Sequence, residues 1–216
     1  MSRRRWTLCR EPGPMLECLR GKRFQGAISE RKIRLFGVAC CRRIKSLLAA
    51  ECGQHALEVG ERLAEGVVSH EERAAACRAV AALLQSLPTD TPASVQAAYE
   101  AVWFVAGASS WNGKDASEWA LVARDRESDE LTHQADLLRC IFDNLFRPVH
   151  VDQQWLTSTV VELARGVYAE RAFDRLPVLA DALQDAGCED VGVLTHCRGA
   201  GPHDRGCWVV DLVLAK

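Results

Sequence analysis

Apolar side chains that recur about every 3.6 residues are the feature that most constrains the fold of this chain. Between residues 33 and 48 they are Ile33, Phe36, Cys40, Ile44, Leu47 and Leu48. At about 100° per residue these positions lie along one side of a helix. Similar patterns continue along the chain, whereas the alternation typical of strands does not persist. The sequence therefore predicts an all-α protein, an irregular helical bundle or a stack of helical hairpins.

Caps and breakers divide this pattern into separate helices. Ser69 and Glu72 form a capping box at the start of one helix, and Pro88 ends it. Pro92 suits the first position of the next helix. Residues 115–144 follow a helical pattern, but residues 124–130 contain no apolar side chain, which indicates either a solvated helical bridge or a break.

The C-terminal end is predicted as a helix over residues 203–214. Its β-branched side chains, such as Val209 and Val210, leave a strand as the alternative. For the domain organisation we expect a basic N-terminal segment with a short helix over residues 1–28, followed by a single helical domain over residues 29–216. Residues 173–216 form a C-terminal helical subdomain within that domain.

The cysteine content points to a reducing compartment. The chain has 216 residues and ten cysteines, several of them inside helical patterns and two of them adjacent, Cys40 and Cys41. This arrangement is not typical of a disulfide framework, and the N-terminus does not resemble a signal peptide. The apolar runs are too short to span a membrane. We therefore expect a cytoplasmic protein without a membrane partner.

Charge is distributed unevenly along the chain. Residues 1–47 carry thirteen Lys or Arg against three Asp or Glu, a net charge of +10, and the remainder carries −12. This asymmetry predicts either an anionic partner or internal pairing with the acidic stretches 51–72 and 125–136. A nucleic acid would contact the basic side chains of the N-terminal part, namely Arg3, Arg4, Arg5, Arg31, Arg34, Arg42 and Lys45.

Cysteines and histidines cluster near the C-terminus. The cluster comprises Cys188, His196, Cys197, His203 and Cys207. Zinc takes four nitrogen or sulfur ligands, which would be Cys188, His203, Cys207 and one of His196 or Cys197. The spacing lacks the paired C-x2-C signature, so the alternative is that the cysteines are packed in the core and the histidines bond to helix ends. No cofactor is expected from the rest of the chain, and zinc is the alternative.

A glycine-rich turn in the same region suggests an anion site. It covers residues 199–202 and is flanked by Arg198, His203 and Arg205. Free N–H groups at the start of a following helix would bind a phosphate or carboxylate. The alternative is a tight interhelical turn in which the glycines meet backbone demands.

Four stretches resemble a group of bacterial proteins of no known activity that is abundant in planctomycetes. They are residues 14–22 (PMLECLRGK), 31–43 (RKIRLFGVACCRR), 173–183 (FDRLPVLADAL) and 196–208 (HCRGAGPHDRGCW). The resemblance implies membership of that group, but no substrate, cofactor or catalytic residue.

No combination of residues indicates catalysis. Cys197 and His196 are adjacent, and neighbouring side chains on a helix diverge by about 100°, so they do not form a nucleophile–base pair. We assign no catalytic residue and lean against an enzyme. The function predicted from the sequence is an interaction or scaffolding module that binds another protein. A nucleic-acid-associated protein and a zinc-stabilised C-terminal site are the alternatives.

Overall fold

The computed structural model describes residues 1–24, 26–109 and 111–216 of the chain, and within these ranges every regular element is helical. The predicted all-α class is therefore confirmed. The described residues divide into two compact units, Met1–Ala135 and Asp136–Lys216. The predicted boundary after residue 28 falls inside the first unit, and residues 173–216 are a part of the second.

The first unit contains seven helices and most of an eighth. They are α1 (Arg3–Leu8), α2 (Pro12–Arg20), α3 (Glu30–Arg43), α4 (Glu51–Ala64), α5 (His70–Ser86), α6 (Ala93–Ala106), α7 (Asn112–Ala123) and α8 (Ser128–Phe142). Its centre is α3, which packs against α4, α6 and α7. The backbones of α3 and α7 meet closely, since a Cβ on Gly37 would lie 2.7 Å from the Cα of Gly113.

The second unit begins within α8 and adds α9 (Ser158–Glu170), α10 (Leu176–Asp185), α11 (Val191–Arg198) and α12 (Trp208–Leu214). A hydrophobic core joins α9 to α12, with Leu179, Val193 and Val209 among its buried residues. The strand considered for the final element is not formed, because residues 208–214 are helical. This helix begins five residues later than predicted, so His203 lies in a loop.

Local sequence signals fix several helix ends. The Ser69 hydroxyl accepts a hydrogen bond from the Glu72 N–H at 3.1 Å, as the capping box predicted. Residues 124–127 form a break between α7 and α8 rather than a helical bridge. Asp125 and Arg126 both have φ near 51°, a left-handed conformation that ends a helix. Asp152 caps a short 3-10 turn, and α9 starts later, at the Thr157 cap.

Candidate metal centre

Two cysteines and two histidines of the second unit meet at one point. Cys140 lies in the last turn of α8, His196 in the last turn of α11, His203 in the loop that follows, and Cys207 at the N-cap of α12. One ligand atom from each lies within 4.8 Å of every other. Four separate segments of chain thus converge on one small volume.

The distances match the edges of a tetrahedral coordination shell. Cys140 Sγ lies 3.4 Å from His203 Nδ1, and His196 Nε2 lies 3.2 Å from Cys207 Sγ. Zinc with Zn–S near 2.3 Å and Zn–N near 2.05 Å places sulfur and nitrogen ligands about 3.5 Å apart. The two imidazole rings are nearly perpendicular, at 78°. The residues present therefore fit a four-coordinate metal ion.

A network of hydrogen bonds holds the loop that carries His203 and Cys207. The Asp204 carboxylate accepts from Arg171 Nη1 at 2.7 Å and from the backbone N–H of Arg205 at 2.7 Å. The Arg205 guanidinium donates to the carbonyls of Tyr168 and Ala169, at 3.1 and 3.2 Å. These contacts attach the loop to the C-terminal end of α9. They position the two ligands before any ion binds.

A contact of the second ring nitrogen, Nε2, sets the orientation of the His203 ring. Its Nε2 lies 3.3 Å from the Gly199 carbonyl oxygen, so the tautomer that donates Nε2–H to this carbonyl leaves the Nδ1 lone pair for a metal. A backbone carbonyl that fixes the tautomer of a ligating histidine is a common feature of metal sites. Gly201 has φ +81°, and a Cβ there would lie 2.9 Å from His203 Cδ2. The glycine is therefore required both for the turn and for the place of the ring.

Burial and electrostatics favour a cation at this point. Cys140 is 3% exposed and Cys207 is fully buried, while both histidines are half-buried. Burial by itself would raise the pKa of Cys207, but the Cys140 thiol donates a hydrogen bond to it. Together with the charge of His196 and hydrogen bonds to both histidines, this holds the pKa well below the ordinary value. The sulfur of Cys207 thus favours the thiolate that a metal requires.

The pKa values of Cys140 and His203 are both shifted by their contacts with Cys207. The pKa of Cys140 is raised well above its ordinary value by its hydrogen bond to Cys207 and by burial. Burial opposes the charged form of His203, but the hydrogen bond to Cys207 and its charge outweigh burial and raise the His203 pKa.

Three of the five metal ligands predicted from the sequence belong to this cluster: His196, His203 and Cys207. The other two, Cys188 and Cys197, are 1% and 0% exposed and pack in the core of the unit. Burial raises the pKa of Cys197, as expected for an unreactive core thiol. The structure thus separates Cys197 from its neighbour His196, as their divergence on a helix predicted.

Cys140 was not among the candidates, because it lies 63 residues before His203 and inside a helix. Its neighbours Leu138 and Ile141 are buried apolar residues. A cysteine in that setting has the sequence pattern of a core residue. No local signal distinguishes it, so only tertiary contacts identify it as the fourth ligand.

The predicted anion site does not form as one group. Arg198 donates to Asp181 at 2.7 Å and to Gln184 at 2.8 Å. Arg205 bonds to backbone carbonyls at the end of α9, and His203 belongs to the Cys/His cluster. The three side chains therefore have three different sets of partners. The alternative, a tight turn with glycines required by the backbone, is the one that the structure adopts.

Internal charge pairing accounts for part of the basic N-terminal region. Arg31 Nε donates to Glu65 at 3.0 Å, and Arg42 Nη2 donates to Glu61 at 2.6 Å. Both carboxylates lie in the acidic stretch 51–72 that the charge distribution named as a partner. Lys45, by contrast, is exposed.

Arg34 departs furthest from the predicted basic face. It is 5% exposed and donates to the carbonyls of Val105 and Gly107, at 2.7 and 2.8 Å. Because α3 is buried on nearly all sides, its polar side also faces protein. The cations at Arg3, Arg4 and Arg5 are exposed on α1. The basic residues predicted to contact nucleic acid thus divide into three cations on α3 that bond to other protein groups and four exposed cations, three on α1 and Lys45.

Within the described residues, no helix combines the length and hydropathy needed to cross a bilayer. The chain matches no protein-family model, no curated protein and no solved structure. The resemblance to planctomycete proteins stays a prediction.

Proposed function

We propose that this chain binds one zinc ion through Cys140, His196, His203 and Cys207, and that the ion stabilises the second unit. The observation that carries the proposal is the convergence of four ligand atoms within 4.8 Å. They come from two helix ends, a loop and a helix cap, so an ion bound to all four would cross-link elements that are distant in sequence.

The donor set selects the metal. Two thiolates and two imidazoles suit a borderline-soft ion, whereas calcium and magnesium prefer oxygen ligands. Zinc is redox-inert and adopts tetrahedral geometry without preference from its d electrons. The nitrogen-to-sulfur distances of 3.4 and 3.2 Å agree with that geometry.

The ligand count favours a structural role over a catalytic one. Catalytic zinc sites keep one position open for water or substrate, and structural sites fill all four positions with protein ligands. Four side chains are available here. We infer that the zinc rigidifies the second unit, and that the chain acts by binding another protein rather than by catalysis.

A cytoplasmic location fits this proposal. All ten cysteines lie in the part of the chain that the structure describes, and none of them forms a disulfide there. Free thiols persist in a reducing compartment, where cysteines serve as core residues or metal ligands.

Cobalt substitution of the full chain tests the proposal. One equivalent of Co²⁺ added to metal-free protein is expected to give the visible absorption of tetrahedral cobalt and a thiolate-to-cobalt charge-transfer band. Zinc should displace the cobalt and abolish both signals. The C207A variant should lose them, whereas the matched C197A variant, which alters a buried cysteine outside the cluster, should keep them. An octahedral spectrum, or equal spectra in both variants, would contradict the assignment.

A second candidate function is supported by the exposed cations of α1. Arg3, Arg4 and Arg5 face solvent, so they are available to phosphates in a way that buried Arg34 is not. Binding to mixed RNA and DNA should weaken as salt rises if these cations contact phosphates. The triple variant R3E/R4E/R5E should abolish it, and K45E should affect it less. Binding that does not respond to salt would exclude this function.

A further inference from the structure

We propose that Cys140 and Cys207 are a peroxide-oxidisable pair whose disulfide releases the metal ion. The inference rests on the proposed zinc centre and adds its regulation. The Cys140 sulfur attacks a hydroperoxide, Cys207 then forms the disulfide with the oxidised sulfur, and the chain changes from a zinc-bound to a zinc-free, disulfide-linked state.

The two sulfurs are close enough to bond. Their Sγ atoms lie within 4.8 Å of each other. A disulfide requires about 2.05 Å, so the atoms need to approach by less than about 3 Å. Cys140 lies in the last turn of α8 and Cys207 at the cap of α12. Helix ends adjust more easily than helix interiors, which favours this approach.

Access to the two sulfurs differs. A cleft of about 200 Å³ opens beside the centre, and Cys140, His196 and His203 are part of its lining. Cys207 is fully buried and is not part of that lining. A molecule as small as hydrogen peroxide would therefore meet the sulfur of Cys140 first. Because Cys207 does not line the cleft, we assign it the role of the resolving cysteine.

The reaction balances with peroxide as the oxidant. As a ligand of the proposed zinc centre, Cys140 would be a thiolate. That thiolate attacks one peroxide oxygen, the O–O bond breaks, and hydroxide leaves, which gives a sulfenic acid. The Cys207 thiolate then attacks that sulfur, the S–O bond breaks, a second hydroxide leaves, and the S–S bond forms. The two thiolates lose two electrons, which peroxide gains. A disulfide carries no anionic sulfur, so only two histidines remain to hold the ion.

Two other cysteines provide an internal comparison. Cys188 and Cys197 are buried in the same hydrophobic core, but neither belongs to the cluster or to the lining of the cleft. Thiols in that setting are unreactive. Oxidation at the centre should therefore leave both unmodified.

The main experiment treats the zinc-loaded full chain with hydrogen peroxide. A chromophoric zinc indicator should report one equivalent of zinc released per chain. Peptide mapping should find a Cys140–Cys207 disulfide that forms at the same rate. A thiol reductant and zinc should restore the starting state. Retention of zinc under peroxide, or a disulfide between other cysteines, would overturn the proposal.

Sulfenic-acid trapping tests the order of attack. With a dimedone probe, C207S should be labelled at Cys140 at least about tenfold faster than C140S is labelled at Cys207, because only Cys140 lines the cleft. Equal labelling would contradict the assigned order.

The readouts also separate this inference from the zinc proposal. A Cys140–Cys207 disulfide in a chain that never binds zinc would refute the zinc proposal and, with it, the release of a metal. Zinc binding without the disulfide would refute the redox step alone.

Discussion

Removal of one ligand side chain gives the sharpest test of the zinc centre. The substitution is C140A, which alters the ligand that no local sequence signal identified. Cys140 is 3% exposed and its Sγ lies 3.4 Å from His203 Nδ1. With three ligands left, a structural zinc site loses most of its affinity. The expected result is loss of the stability that zinc adds to the folded chain.

The magnitude follows from ligand linkage. When free zinc is at about 100 times Kd, binding adds about 2.7 kcal/mol to the free energy of unfolding. For a chain of this size each kcal/mol corresponds to about 2–4 °C in Tm. Zinc should therefore raise the Tm of the unmodified protein by about 5–10 °C. In C140A the same zinc addition should raise it by less than about 2 °C.

The matched control is C188A. Cys188 is 1% exposed and packs in the same unit, but it lies outside the cluster. Its truncation should cost about 1 kcal/mol in packing and leave the zinc-dependent increment intact. Scanning calorimetry of each protein, with zinc and with a chelator, measures that increment. Equal increments in C140A and C188A, or none in the unmodified protein, would refute the reasoning.

Three further predictions follow from the same contacts. Zinc binding should release more protons at low pH than at high pH, measured in weakly buffered solution, because zinc displaces protons from its ligands. The sign follows from the raised pKa values of Cys140 and His203, since a ligand with a raised pKa carries more proton to displace and loses it as the pH rises. Release that does not change with pH would be inconsistent with these shifts. The substitution G201A should weaken zinc binding at least about tenfold without abolishing folding, because the added Cβ would lie 2.9 Å from the His203 ring. A zinc titration that matches that of the unmodified protein would exclude this steric effect. The substitution R34A should lower the free energy of unfolding by about 2–3 kcal/mol in a denaturant titration, because it leaves buried carbonyls such as that of Val105 without their donor. A loss under about 0.5 kcal/mol would mean that Arg34 acts as an ordinary surface cation.

The helical fold was predictable because its signals are local. The Ser69 capping box forms as expected, and Ile33, Phe36 and Cys40 are buried along one stripe of α3. Each signal depends on residues within one or two turns of a helix. The predicted start of the last helix was wrong. The helix begins after Cys207, whose side chain makes no capping hydrogen bond, so the sequence has no capping residue that marks this position.

The charge distribution was predictable only as a pair of alternatives. A net charge of +10 in residues 1–47 fits both an anionic partner and internal pairing. The contacts of Arg31 with Glu65 and of Arg42 with Glu61 show that internal pairing occurs. The residues of these two ion pairs are 34 and 19 positions apart in the sequence, so the pairs form only because α3 packs against α4. Helical periodicity does not specify that packing.

The sequence alone established that the chain is helical, where several of the helices start, and that His196, His203 and Cys207 lie near one another, since at most 11 residues separate them. Only the tertiary structure decided which cysteine completes the set. Cys188 and Cys197 are nearer in sequence but turn into the core, and Cys140 is brought in from α8. Ligation depends on where side-chain atoms lie in space, to within a few tenths of an ångström. Packing between helices sets the positions of those atoms, and they cannot be predicted from the sequence pattern of a single helix.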